Sequence, residues 1–230
     1  MESTLNGLNG WRTSPMYTFT EAARLAEVSS ATVRRWMYGY TSPTGQMQPV
    51  FGLQERVKGQ AAAVSFLQLA EIVVVGRFRR RQVTLERLRR AHQFARKQFA
   101  LEYPFASLRL KTDGVHVLQE FEDAEPGASL LALDRSGQLT LPGDVVQVIE
   151  TFEFENDLAA RWFPMGRDVP IVIDPRYGAG RPTIPNRRLT IETIHKRWLA
   201  GQSFHFIAED FDLEPARVEE ALRFAEKYAA

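Results

Sequence analysis

The stretch with the most chemical promise is "IDPRYGAGRPTIP", Ile173 to Pro185, where two Gly, three Pro and two Arg crowd together. Gly178-Ala-Gly180 raises three possibilities: a phosphate cradle, a dinucleotide fingerprint, or a turn. A dinucleotide site needs G-x-G-x-x-G between strand and helix, and a P-loop needs Gly-Lys-Ser/Thr. Here Gly180 is followed by Arg-Pro-Thr-Ile-Pro. The third Gly and the Lys are missing, and Pro182 with Pro185 forbids a helix from starting there. The expectation is a short strand over Pro170–Ile173, a turn that glycine permits, and a second extended piece leading to a helix over Thr190–Ala200. Other reactive groups are sparse. The chain has no Cys and four His, and no nucleophile stands at a useful spacing from a base. His92 reads as a surface or packing residue, and His195 and His205 lack a third metal ligand. Glu150, Glu153, Glu155 and Asp157 interleave with Phe152 and Phe154, the solvent face of a half-buried strand rather than a metal cluster. No catalytic residue, metal or cofactor is expected.

Charge points elsewhere. Of 29 Lys+Arg and 28 Asp+Glu, residues 1–110 hold 16 bases against 7 acids, leaving 13 bases and 21 acids in residues 111–230. The basic half suits a phosphate backbone and the acidic half a different partner. No apolar run reaches the ~18 residues of a membrane helix. Met1-Glu2-Ser3-Thr4 lacks the pattern of a leader, so a cytoplasmic home is the expectation.

Within the basic half, "YTFTEAARLAEVSSATVRRWMYGY" predicts a helix-turn-helix. Thr18 or Thr20 caps the first helix and Ser29 or Ser30 the second. Ala22, Ala23, Ala26, Val28, Val33 and Trp36 fall where two crossing helices bury side chains, and Ala23 is small where the crossing is closest. Glu27 departs from the pattern, since that turn position usually prefers Gly. The outward face of the second helix offers Ser30, Thr32, Arg34, Arg35 and Tyr38, which mix phosphate and base-edge chemistry. "YGYTSPTGQMQPVFG" predicts a hairpin wing carrying Tyr40 and Gln46. Two further helices follow, with Arg79, Arg80, Arg81, Arg87, Arg89, Arg90, Arg96 and Lys97 around an apolar stripe. With Glu86 as almost the only acid among them, they read as a phosphate-tracking surface.

The remainder predicts an α+β fold. "LRLKTDGVHVLQEF" reads as two strands around Thr112-Asp-Gly114, and "SLLALDRSGQLTL" as another hairpin. "DVVQVIETFEFE" reads as a short helix entering a strand, with "LAARWFP" as its partner. Three helices close the chain, with core stripes at Ile191, Ile194 and Trp198; at Phe204, Ile207, Ala208 and Phe211; and at Val218, Ala221, Leu222 and Ala225. The last two, with Leu213 in the turn, form a second helix-turn-helix whose mixed, partly acidic face suits a protein contact. The expected parts are 1–106, a DNA-binding helix-turn-helix domain; 107–168, a small β-rich domain; and 169–230, a β-arm with a helical domain.

The C-terminal stretch resembles a small prokaryotic domain long described as of unknown function. The matching residues are Ile173-Asp-Pro175, Gly180-Arg-Pro182, Gly201, Ile207-Ala208 and Asp210-Phe211. Proteins carrying this domain are commonly antitoxins of the VapB kind, paired with a toxin of PIN-like nuclease fold. The front of the chain resembles the DNA-binding half of their longer members, in outline shared with MerR-like regulators. The resemblance implies a homodimer that binds its own operator DNA, represses its own module, and blocks the toxin's carboxylates and Mg²⁺ through the acidic half. Exposed arginines, Arg181, Arg217 and Arg223, suit such a carboxylate-rich site. The other functional class is a MerR-like regulator that senses a small molecule through residues 107–168.

Overall fold

The structure is a computed structural model that describes residues 10–43, 45–51 and 63–229. The expectation drawn from Met1–Thr4 falls outside the described residues. The fold is α+β, built from helices and short antiparallel strand pairs. The chain divides into two units, Met1–Glu150 with Phe154–Ala159, and Thr151–Glu153 with Ala160–Ala230.

In the first unit α1 (Phe19–Ala26) starts at a capping box, in which the Thr18 hydroxyl accepts from the Glu21 N–H and the Glu21 carboxylate accepts from the Thr18 N–H. It stops at Glu27, left-handed at φ 56°. Ser29 caps α2 (Ser30–Tyr38). Ala22, Ala23, Ala26, Val33 and Trp36 are buried between these helices as the spacing predicts, and the Val28 N–H donates to the Ala23 carbonyl at 2.9 Å. α2 ends at Gly39, φ 70°, where an added Cβ would lie 2.2 Å from the Met47 carbonyl oxygen. A side chain there is excluded both by conformation and by space. The wing follows as β1 (Tyr40–Ser42) paired with β2 (Gly45–Met47), Tyr40 opposite Met47.

α3 (Phe66–Arg80), capped by Ser65 and Gln68, is the core of this unit: every residue from Phe66 to Gly76 is buried. It packs against α1, against a 3₁₀ turn at Pro104–Ala106, and against α7 (Gly143–Glu150). No helix among the described residues is long and apolar enough to cross a membrane. α4 (Leu85–Phe99) is capped by Thr84, whose hydroxyl accepts from the Arg87 N–H. Between α3 and α4, Glu71 Oε1 lies 2.9 Å from His92 Nε2 and accepts the Phe105 N–H at 3.1 Å, all three groups buried. The His92 ring stands edge-on to Phe51 and Phe105. His92 is therefore a packed, hydrogen-bonded core residue rather than a surface one.

The strands expected around Thr112-Asp-Gly114 are instead two helices, α5 (Leu108–Thr112) and α6 (Gly114–Ala124). Leu110, Gly114, Val117, Leu118 and Phe121 are the buried positions. They recur at helical spacing, which outweighs the local alternation of Leu108 with Leu110 and Val115 with Val117. Asp113 is the kink between the helices; its N–H donates to the Arg109 carbonyl, and its own carbonyl accepts from Val117. The hairpin around Arg135-Ser-Gly137 forms as β3 (Ala132–Leu133) and β4 (Leu139–Thr140). The Asp134 carboxylate holds that turn by accepting from the Ser136 hydroxyl and the Gln138 N–H, which lower its pKa. After α7 come β5 (Phe152–Glu155) and its partner β6 (Leu158–Trp162), and the boundary between the units runs through this hairpin. Of the four interleaved acids, Glu155 pairs with Arg12, Glu150 with Lys111, and Glu153 with Arg161 and Arg167.

In the second unit the ladder continues beyond β6. Trp162 pairs with Ile173, Val172 pairs with Thr183, and β7 (Thr183–Ile184) pairs with β8 (Leu189–Thr190). Alternation puts Trp162 and Ile173 on one face of this small sheet and Arg161, Phe163, Val172, Asp174 and Thr183 on the other. The Gly-Ala-Gly segment is a turn: Gly178, Ala179 and Gly180 are all left-handed, at φ 57°, 53° and 71°. A Cβ on Gly178 would meet Thr183 Cγ2 at 3.2 Å. Thr190 then caps α8 (Ile191–Leu199), followed by α9 (Phe204–Asp210) and α10 (Pro215–Ala229). The stripes hold at Ile191, Ile194, Ile207, Ala208, Val218, Ala221, Leu222 and Ala225. Phe204 and Phe211 are half-buried, and Trp198 is 40% exposed rather than in the core, with Leu199 and Phe206 also exposed.

Candidate nucleic-acid interface

The second helix of a helix-turn-helix reads a groove only if its outer face is free and its side chains are held in place. On α2, Ser30, Arg34 and Arg35 are exposed, and Thr32 and Tyr38 are half-buried. Thr32 Oγ1 lies 2.8 Å from the capping Ser29 Oγ, so this hydroxyl helps define the helix start. An aromatic shelf orients the two arginines. Arg34 lies over the Phe19 ring at 5.1 Å, Phe19 meets Tyr38 edge-on at 5.7 Å, and Arg35 lies over Tyr40 at 5.2 Å. Such contacts restrict a guanidinium without consuming its N–H donors. Arg34 and Tyr38 thus meet at Phe19, Arg35 meets Tyr40 of the first wing strand, and Thr32 belongs to the cap that starts the helix, with Ser30 exposed beside it.

Arg79, Arg80 and Arg81 lie at the C-terminal end of α3, and Arg80 reaches the turn that leads into α2. Arg79 donates to the Val83 carbonyl, Arg80 pairs with Glu27, and Arg81 stands 3.7 Å from Asp144. Arg77 joins Arg80 on the same Glu27 carboxylate, at 3.3 Å. This clamp accounts for the unusual residue in the turn: Glu27 tolerates a left-handed backbone while its side chain ties the turn to α3. Glu27 drew attention as a departure from Gly, but its partners are distant in sequence and carried no local signal. Phe19 was likewise missed as a positioning residue.

The bases of α4 also have more acidic company than their neighbours in sequence suggested. Arg87 is buried, donates to the Glu125 carbonyl at 2.7 Å, and stacks on Phe121. Arg90 pairs with Glu125 at 2.8 Å and with Glu86 at 3.4 Å, while Arg89 approaches Glu86 at 4.0 Å. Arg87 is therefore a packing residue rather than part of a phosphate-tracking surface, because α6 folds back across it.

The second unit repeats the turn geometry of the first. The Leu213 N–H donates to the Ala208 carbonyl at 2.8 Å, and Asp212 is left-handed at φ 51°. Arg187 holds the Asp212 carboxylate at 2.7 Å, as Arg77 and Arg80 hold Glu27. Arg181, extended after the glycine turn, pairs with Glu192 at 3.1 Å, and Arg223 pairs with Glu219 at 3.6 Å on α10, where Arg217 is exposed near the helix start. Arg176 is bound to Asp174 at 2.9 Å.

Comparison with known proteins fits this division. Residues 15–92 match a family described as "Putative DNA-binding HTH domain", and residues 171–225 match one described as "Protein of unknown function (DUF433)". A Mycobacterium tuberculosis protein named "Putative antitoxin VapB45" is 29% identical over 222 residues, covering 90% of this chain and 92% of the relative. "Uncharacterized protein Rv2308" of the same organism is 28% identical over 227 residues, covering 93% and 91%. The crystal structure of Rv2018 from M. tuberculosis is similar at a TM-score of 0.77 and 27% identity, covering 92% of this chain and 99% of that one. The chain thus joins a helix-turn-helix segment to a DUF433 segment and is similar along most of its length to a protein named as an antitoxin.

Proposed function

We propose that this protein is a non-catalytic antitoxin that binds operator DNA through α2 and the wing and neutralises a PIN-like ribonuclease toxin. The observation that carries the DNA half is the α2 face, where Arg34 and Arg35 are exposed yet oriented by Phe19 and Tyr40. The antitoxin half is supported by similarity to a VapB-named relative across nine-tenths of the chain. A homodimer suits this reading, because paired heads read paired half-sites. The inhibitory act is binding: the partner's active site is covered rather than chemically altered.

Replacing Arg34 and Arg35 together by Ala tests the first half in a gel-shift assay with the promoter region upstream of the gene. Loss of the shifted band is expected, and undiminished binding overturns it. Co-expression with the product of the adjacent gene tests the second half. Growth rescue and co-purification are expected; separate purification without rescue refutes it.

A further inference from the structure

The outer face of the small sheet in the second unit floors a cleft of about 340 Å³. Its size falls at the small end of the ~300–1,000 Å³ usual for ligand pockets. Asp174 is buried at its base and fully engaged: it accepts from Arg161 Nε at 3.0 Å, and from Arg176 through N (3.0 Å), Nε (2.9 Å) and Nη2 (2.9 Å). This carboxylate fixes two guanidiniums and leaves the surroundings net positive. At the mouth Arg188 lies over the exposed Tyr177 ring at 5.2 Å. Its backbone is left-handed at φ 53°, as is that of Asn186 at φ 66°. Both residues lie in the tight connection between β7 and β8, which sets where the Arg188 side chain leaves the backbone. The half-buried Phe163 adds apolar wall to the lining.

Planar cationic forks beside hydrocarbon recognise a carboxylate that carries an apolar neighbour. We propose that this cleft captures an acidic side chain, flanked by an apolar one, from an extended segment of a partner protein. The acid pairs with Arg188 at the mouth, backed by the Arg161 guanidinium that Asp174 and Glu153 hold in place, and its neighbour covers Phe163. As the seat of the toxin the cleft rests on the function proposed above; as a carboxylate receptor it stands alone.

The test uses the full chain and two exposed positions. Arg188→Gly removes the guanidinium while glycine suits the left-handed backbone, so the fold survives; Tyr177→Ala is the second variant. Each protein is titrated with blocked pentapeptides holding Asp or Glu between Leu, Val or Phe, with their Asn or Gln counterparts, and with N-acetyl-leucine as a free acid. Saturable binding of the acidic peptides is expected, at least tenfold weaker for the amides and for both variants, with unchanged melting curves. Absence of binding, equal affinity for acid and amide, or undiminished binding to Arg188→Gly overturns the proposal. Tighter binding of N-acetyl-leucine than of any peptide overturns it too, in favour of a small-molecule occupant. Capture of the adjacent gene's product separates the two claims. If wild type and both variants capture it equally, the cleft is not the toxin's seat and the antitoxin function stands. If wild type fails to capture it, the antitoxin function falls and the peptide titration still decides the cleft.

Discussion

Replacing Glu27 by Gly should change DNA affinity strongly and stability by no more than about 2 kcal/mol. Two stability effects oppose each other. A left-handed residue with a Cβ costs about 1–2 kcal/mol, which Gly removes. Against this, Gly adds unfolded-chain entropy of about 0.5–1 kcal/mol, and two half-exposed ion pairs worth about 0–1 kcal/mol each are lost. The net change lies between a gain of about 1.5 and a loss of about 2 kcal/mol, a Tm shift under about 8 °C for a chain of this size. Affinity responds differently. The substitution removes a negative charge from the turn that precedes α2 and releases Arg77 and Arg80. If both reach phosphates, the slope of log K against log[salt] steepens by about 1.8, and affinity at 0.1 M salt rises about 60-fold. One phosphate contact gives about 0.9 and eightfold. Fluorescence anisotropy with labelled promoter DNA across a salt series reads the slope, and thermal denaturation reads the stability. An unchanged slope refutes the placement of the clamp beside the DNA. A loss above about 3 kcal/mol refutes the claim that the two stability effects oppose each other.

Three further outcomes follow from the geometry. Gly39→Ala places a Cβ against the Met47 carbonyl in a left-handed backbone and should cost at least about 2 kcal/mol in thermal unfolding; a smaller loss shows that the wing yields easily. His92→Ala strips Glu71 of its side-chain partner in the core and should cost about 3–5 kcal/mol by urea titration, and a loss under 1 kcal/mol contradicts this account. Glu192 is held below the usual carboxylate range by a hydrogen bond from Lys196, then by the charges of Lys196 and Arg181. Because its folded pKa lies below the unfolded value of about 4.3, its contribution is present above that pH and disappears as pH falls through the folded value. Lys196→Met should raise the Glu192 titration midpoint in carboxyl NMR, and a static midpoint rules out the assignment.

Local signals carried the helix-turn-helix. The caps at Thr18 and Ser29, the small Ala23 and the buried Val33 and Trp36 all lie within one short window, so propensity and burial agree. Residues 108–121 failed because the Asp-Gly signal and a short alternation imitate a hairpin, while the longer helical repeat from Leu110 to Phe121 is what the core uses. Arg87 failed for a tertiary reason: a base on a helix looks solvated until α6 brings Phe121 and the Glu125 carbonyl onto it. The cleft was invisible for the same kind of reason. Arg161, Asp174 and Arg188 share a face only once Trp162 pairs with Ile173 and Val172 with Thr183.

The burial of α3 bears on how the DNA-binding half would persist if the chain were cut. A fragment ending at residue 106 retains the reading helix but loses α7 from one flank of α3, together with α6 from its place against α4. Valines and leucines from Leu67 to Val75 that are now shielded would face water, an apolar patch that favours aggregation or proteolysis over an independent repressor. Cleavage near residue 106 would therefore not leave a lasting DNA-bound remnant, because the reading head depends on helices that lie beyond the cut.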